Sequence, residues 1–493
     1  MFKLKKIHLI LLALILLIAL FFRTFQIVER FEFAHDGDLY SWIVKDMVVD
    51  GHFRLIGQLT TAPGVFIGPF FYYLLIPFFL LTKMDPIGGL IPITFLGLLT
   101  VFSYYFCFSR LFSKQVGLIA AFLHAVLLSP VIFDRAVVPS TPTHLWMIWY
   151  FYTVISLVRG NFKVLPILGV LIGLIWHIHV ALFPPLLAVP VALILAKKLP
   201  PKDEILKFII LLLVTSLPLL GFEIKHYFSQ TVSLIHNLSI NQGGGQGVEK
   251  LNLILIYLGR NISRLFLYPQ MLPEITWRAW FFIILLPLIF FVQRKILATK
   301  EVLVLLLWMG GVIGFYSLSS TVISEYYFTN LEVIFMMIVS LSLVKLINLG
   351  KWWKVAIFAL LGILLLKNLY FFITQPIYKK GYLERKAVAE FITRDSQKRG
   401  FPCVAVSYIT PPGENVGFRY MFWLNRLHVN QPFSGSPVYT IVFPADLARG
   451  AIDEQYGQIG VILPENVPSV EKIKFSCSGA NSNLTDPLFG FPK

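Results

Sequence analysis

The sequence predicts a polytopic α-helical membrane protein of about eleven transmembrane helices, with a long first outer loop and a small C-terminal α/β unit. Three observations carry this. Of the 493 residues, 57% are apolar and only 14% charged, whereas a soluble domain has roughly a quarter of its residues charged. Apolar runs suited to ~30 Å of hydrocarbon recur between residues 7 and 373. The last 119 residues then hold 23 of the 68 charged side chains. The same composition excludes disordered and disulfide-scaffold classes, since three cysteines cannot staple a chain of this size. The net charge of +16 would suggest nucleic acid in a soluble protein. Here the cations cluster at the ends of apolar runs, so the partner implied is the lipid bilayer and no nucleic acid.

The first run, 7–22, follows Lys3, Lys5 and Lys6 like a signal peptide, but no small-residue cleavage site follows Phe22. It reads as a retained anchor. Further spans are expected at 88–108, 115–132, 143–158, 164–178, 180–196, 206–222, 279–293, 301–318, 328–346 and 354–373. The run Pro69–Thr82 is also apolar but only 14 residues long, bracketed by Gly64, Gly68 and Pro86. That length suits an interfacial or re-entrant segment.

Sidedness supports this reading. If Pro69–Thr82 does not cross, Lys3/Lys5/Lys6, Arg110/Lys114, Arg159/Lys163, Lys197/Lys198/Lys202, Arg294/Lys295/Lys300 and Lys345/Lys351/Lys354 all share one side, the cytoplasmic one. The expected protein is a multi-pass plasma (inner) membrane protein with a cytoplasmic N-terminus. Outside lie the first loop (about 23–87), the turn Phe133–Pro142, the His177–His179 turn, a loop over about 223–278, the turn Ser319–Tyr327 and the tail. In the second long loop, Gln242–Gly247 is glycine-rich and Leu251–Tyr268 is amphipathic with Arg260 and Arg264 on its polar side, a pattern expected of a mobile lid.

The domain division expected is 1–374 in the membrane and 375–493 extracytoplasmic. In the tail, Leu383–Gln397 is helix-like, and Cys403–Tyr408, Val438–Phe443 and Ile459–Leu463 are strand-like. Cys403 and Cys477 would meet an oxidising compartment there and can pair.

Chemistry concentrates in Phe33-Ala-His-Asp-Gly-Asp-Leu-Tyr40, just outside the first anchor and ahead of an interfacial helix over Ser41–Gly51. Asp36 and Asp38 flank Gly37 beside His35 at the membrane edge, where an ionisable group is costly and commonly functional. The competing reading is a solvated turn after an anchor.

With Tyr40 four residues after Asp36, a following helix, a Pro/Gly turn and Pro69-Phe-Phe-Tyr-Tyr-Leu-Leu75, the chain resembles the GT-C membrane glycosyltransferases. The likeness is greatest to glycosyltransferase family 39, the protein O-mannosyltransferases and lipid A aminoarabinose transferases. It extends through Arg110–Ala121 and Ser129-Pro-Val-Ile-Phe-Asp-Arg135, covers residues 1–200 well and does not reach the tail. Two departures stand out: Gly37 replaces the family's usual Glu, and Ser140 lies where relatives often place another acid.

The resemblance implies transfer of a sugar from a polyprenyl-phosphate donor to a hydroxyl of a protein, glycan or lipid at the outer face. Asp36 would then be the general base, with Asp38 supplying a second carboxylate. Arg135 would stabilise the departing phosphate, with Asp134 as its orienting partner. His35, Tyr40, His177, His179, Glu325 and Tyr327 are the remaining candidates for substrate contact. His177 and His179 can equally just end a span, and Tyr327 can belong to an interfacial aromatic belt. No Cys or helix-spaced acid accompanies the histidines, which argues against zinc. No cofactor is identified, and a divalent cation stays open. A transporter or flippase of lipid-linked saccharide is the alternative class. It would place broken helices and ionisable groups at mid-membrane, whereas Glu332 and Lys367 lie near the outer ends of their spans.

Overall fold

The computed structural model describes residues 2–60, 62–240, 242–267, 276–465 and 467–485. A helix stands at each expected span: Phe2–Thr24, Leu90–Leu111, Lys114–Val126, Thr143–Val158, Leu165–Ile178, Ala188–Ala196, Lys202–Lys225, Trp277–Gln293, Thr299–Leu318, Glu332–Ile347 and Lys351–Thr374. Among the described residues, six are long and apolar enough to cross a bilayer: Lys6–Thr24, Pro86–Leu111, Lys202–Lys225, Thr299–Leu318, Glu325–Ile347 and Lys351–Thr374.

Two expected spans are interrupted, each at proline. The run expected over 115–132 starts on Ser113, whose hydroxyl accepts from Val116 N at 3.3 Å, and its helix ends at Val126. Continued helix would set the ring of Pro130 against the Val126 carbonyl and leave that carbonyl without a donor. Leu127 instead turns extended, with ψ at 131°, and Pro130 falls in the first turn of a new helix, Leu128–Phe133. The carbonyls this break frees are taken by side chains. Arg23 donates to His124 O at 3.3 Å and Ala125 O at 3.4 Å, and Asn368 to Val126 O at 3.0 Å. Likewise Pro184 and Pro185 reduce the start of the run 180–196 to two 3₁₀ turns before Ala188–Ala196.

The loops sort onto two faces. On one, Arg159 donates to Glu301 Oε1 at 2.6 Å and to Leu111 O at 2.7 Å, and Lys300 to Val158 O at 2.6 Å. On the other, Phe66 N donates to Gln230 Oε1 at 3.0 Å and Asn261 Nδ2 to Glu325 O at 2.7 Å. The helix Phe70–Leu81 begins and ends on this second face. Gly68 N donates to Trp176 O at 2.8 Å before it, and after it Asp85 accepts from Tyr382 and Lys386, each at 2.6 Å.

The expected lid is strapped down. Gly244 N donates to Ser320 O at 3.0 Å and Gly247 N to Ser317 O at 2.9 Å. Lys250 Nζ donates to Ser319 O and Thr321 O at 2.5 Å each. Glycine is needed here, because a Cβ at Gly244 would lie 2.4 Å from Thr321 O. The amphipathic helix runs Val248–Leu267, and Tyr268 lies outside the described residues.

The tail carries the helix Tyr382–Lys398 and a five-stranded sheet of order β2-β1-β3-β5-β4. The strands are β1 (Val404–Ile409), β2 (Val429–Asn430), β3 (Val438–Val442), β4 (Glu454–Tyr456) and β5 (Ile459–Ile462). β1 runs parallel to β2 and β3, and β5 antiparallel to β3 and β4. Cys403 and Cys477 are disulfide-bonded, tying the helix Val470–Cys477 to the start of the sheet. One apolar core joins tail and first loop, through Phe31, Phe33, Trp42, Tyr382 and Tyr420 among others.

Candidate active site

The segment that bears the two acids is helical from its first candidate onward: His35–Val48 forms one helix, six residues earlier than the Ser41 start expected. Asp36 and Asp38 both lie in its first turn, where the N-terminal end of the macrodipole favours carboxylates. Residues two apart on a helix do not face each other, so the two acids diverge. Gly37 between them is buried against Phe33, with a Cβ there 2.6 Å from the ring. The close ring contact leaves no room for a larger side chain at this position.

Asp36 opens into a cavity of about 410 Å³ at the end of the first anchor. Its walls come from the segments around Arg30, His35 and Arg135, from Phe372 and from the connection Gln375–Gly381. His35 and Asp36 are half-exposed, with His35 Nδ1 3.5 Å from Asp36 Oδ1. That hydrogen bond raises the imidazole's pKa against the opposing effect of burial.

The cationic side of the cavity is built from carbonyls. Arg135 donates to Phe22 O, Phe25 O and Gln26 O at 2.9, 3.0 and 3.2 Å, capping the end of the first helix. Its guanidinium lies 4.9 Å from the Phe372 ring centre. Arg30 donates to Gln26 Oε1 at 3.0 Å and Gln375 O at 2.8 Å. Burial pulls Arg135 down to about 10, with the positive charges of Arg30 and Arg23 adding to the effect. Both groups remain cationic at neutral pH, and among the described residues neither makes an ion pair. Glu29 and Glu32 line the same cavity, and the charge of Glu29 acts on both guanidiniums, so the wall is of mixed charge, with two guanidiniums that can meet an anion.

Asp134 does not orient Arg135. It lies inside the bundle, where it accepts from Arg23 Nη2 at 2.5 Å and Nε at 3.2 Å. His124 Nε2 lies 3.2 Å from its Oδ2 and His144 Nδ1 3.0 Å from its Oδ1, and His144 Nε2 lies 3.4 Å from Glu332 Oε2. The sequence does not show that these residues meet. The signal was the presence of ionisable groups in the apolar runs. His124, Asp134 and His144 bring ligand atoms within 4.8 Å of one another, a spacing open to a metal. The guanidinium on the same carboxylate would stand beside any divalent ion, so the trio fits a charge network better than a metal centre.

The remaining candidates divide. Asp38 does not line the cavity; its Oδ1 accepts from Tyr420 N at 3.1 Å, which docks the tail helix Arg419–Leu424. Loss of hydration raises its pKa to about 6, against the lowering effects of that bond and of Arg419. Asp38 thus faces the tail and not the cavity that Asp36 lines. Tyr40 is buried one turn below Asp36, edge-on to Phe71 and Phe79 at 6.2 Å each, and its hydroxyl has no partner. His177 is a packing residue, stacked on Phe70 at 3.8 Å with Nε2 2.9 Å from Thr215 O. His179 joins Tyr326 and Tyr327, ring centres 5.3 and 5.4 Å away. Glu325 is paired by Arg264, with Arg260 3.5 Å away. The structure therefore brings His35, Asp36 and Arg135 to one cavity and leaves His177 and Asp38 elsewhere.

No family model matches the sequence, and no curated protein matches it. Solved structures do. ArnT from Cupriavidus metallidurans bound to undecaprenyl phosphate superposes with a TM-score of 0.60 at 12% identity, over 93% of this chain and 98% of that one. Its apo form gives 0.57 at 11%, over 92% and 97%. The apo oligosaccharyltransferase of Archaeoglobus fulgidus gives 0.51 at 15%, over 89% of this chain and 70% of that one. The chain shares the fold of these structures. At these identities the GT-C likeness speaks for the arrangement of helices and loops, and the chemistry rests on this chain's own side chains.

Proposed function

We propose that this chain is a membrane glycosyltransferase that moves a sugar from a polyprenyl-phosphate donor to an acceptor hydroxyl at the extracytoplasmic face. The observation that carries the reading is the cavity at the end of the first anchor, with Asp36 on one wall and the guanidiniums of Arg30 and Arg135 on another. ArnT, which shares the fold, binds undecaprenyl phosphate. The Arg30–Arg135 wall offers such a phosphate two cations with donors to spare, at the level where a lipid headgroup lies.

In the proposed step the acceptor oxygen attacks the anomeric carbon as Asp36 takes its proton. The bond from that carbon to the phosphate oxygen breaks, and the charge that develops on the phosphate meets Arg30 and Arg135. A positioned carboxylate base contributes typically about 10²–10⁴-fold. The topology that goes with this reading has eleven spans, a cytoplasmic N-terminus, and residues 375–493 outside as a unit that completes the cavity wall.

A transporter or flippase draws its support from the buried Arg23–Asp134–His144–Glu332 network. Asp134 is held by three partners at once, which suits a fixed brace better than a moving site. One experiment separates the readings. Protein in vesicles is given a labelled undecaprenyl-phosphate-linked sugar with envelope acceptors, and both transfer and translocation are followed. Transfer lost in Asp36→Asn, with undecaprenyl phosphate still bound, supports the enzyme. Full transfer in that variant, or translocation without transfer, removes Asp36 from the mechanism.

A further inference from the structure

On the far side of the helix Leu128–Phe133 from Arg135 lies a second cavity of about 530 Å³, lined by His144, Asn261, Arg264, Tyr326, Thr329 and Glu332 among others. Glu332 opens the helix Glu332–Ile347 and its side chain is only 8% exposed. Its Oε2 has one long contact, to His144 Nε2 at 3.4 Å, which falls short of hydrogen-bond geometry. A buried carboxylate oxygen held only by one long contact has room for a further donor, so a ligand with hydroxyl donors complements this wall. His144 is held by Asp134 through Nδ1 at 3.0 Å, which aims Nε2 at Glu332.

The two atoms together take a group that donates to one and exchanges a hydrogen bond with the other, which is what neighbouring hydroxyls of a sugar ring do. A phosphate fits poorly, because Glu332 would repel it and Arg264 is already engaged by Glu325. Tyr326 offers a face for the ring.

We infer that this second cavity is a saccharide subsite in which Glu332 and His144 clasp adjacent hydroxyls. The inference rests on the glycosyltransferase reading above and names where that reaction holds a sugar ring, of the donor or of a glycan acceptor.

The test uses full-length protein in nanodiscs and three probes: undecaprenyl phosphate, undecaprenyl phosphate carrying a hexose or pentose, and a panel of methyl glycosides. If the ring belongs to the donor, the sugar-bearing lipid binds about 10–100-fold more tightly than the bare one, and Glu332→Gln erases the difference while bare lipid binds as before. If it belongs to the acceptor, a methyl glycoside binds on top of the sugar-bearing lipid, and Glu332→Gln removes that second event. Thr329→Val, which keeps the charge network, weakens the same event and guards against a folding defect in the first variant. Sugar-independent lipid binding together with no glycoside binding in the unmutated protein overturns the inference. Bare undecaprenyl phosphate still requiring Arg30 and Arg135 in that case leaves the first reading standing.

Discussion

The buried network offers the largest single-residue effect that the structure predicts. Arg23 is fully buried and Asp134 is 2% exposed, so each needs the other's charge. Asp134→Asn keeps the shape and one acceptor oxygen but leaves the guanidinium unpaired inside the bundle. Removing one partner of a buried pair costs about 3–5 kcal/mol. Arg23→Met is expected to cost less, about 1–3 kcal/mol. There Asp134 still has His124 and His144 at 3.2 and 3.0 Å, so the carboxylate keeps two side-chain partners. The loss is then mainly the two helix-end carbonyls, His124 O and Ala125 O, that Arg23 supplies with donors. Unfolding in mixed micelles by increasing SDS, followed by tryptophan fluorescence, measures both variants, and the double variant gives their coupling. An Asp134→Asn cost equal to or smaller than that of Arg23→Met would refute the reasoning, because the histidines would then not be standing in for the arginine.

Three further outcomes are expected. Because Asp38 has its folded pKa raised to about 6, above the ordinary Asp value near 3.9, the folded state binds more protons than the unfolded between those values. The docking of the tail therefore weakens as pH rises from about 4 to 6 and is level above that. Asp38→Asn should abolish this slope in thermal melts, and an unchanged slope would assign it to another group. Replacing Cys403 and Cys477 by serine opens a loop closed across 74 residues and should destabilise the tail by about 2–4 kcal/mol, read by pulse proteolysis; no change in the unfolding midpoint would mean the helix Val470–Cys477 holds without it. With a cysteine at Ser113 or Ser140, an impermeant external thiol reagent should label only the second, and the reverse pattern would invert the proposed topology.

What the sequence made legible follows from range. The helices announce themselves through local apolarity, and β1, β3 and β5 through short runs bounded by Gly, Pro and Ser, so both could be read residue by residue. β2 is two residues long and β4 three, too short to carry a period. The site was harder because its pairings are not local. Asp134 and Arg135 are chain neighbours, which invited pairing them, yet Asp134 turns inward to Arg23, 111 residues away, while Arg135 turns outward to cap the first helix. The same geometry separates Asp36 from Asp38. Read as a loop, the two acids could share one ligand; wound into a helix from His35, they are forced to different sides. That places Asp36 at the cavity, Asp38 at the tail and Tyr40 one turn beneath Asp36, with its unpartnered hydroxyl raised chiefly by burial and further by the charge of Asp36. A single change in helix start thus decides which carboxylate is available for chemistry. It also gives Gly37 its place, since a Cβ there would meet Phe33, while Asp36 stays at a cavity that Glu29, Glu32 and the two carbonyl-held guanidiniums line with it.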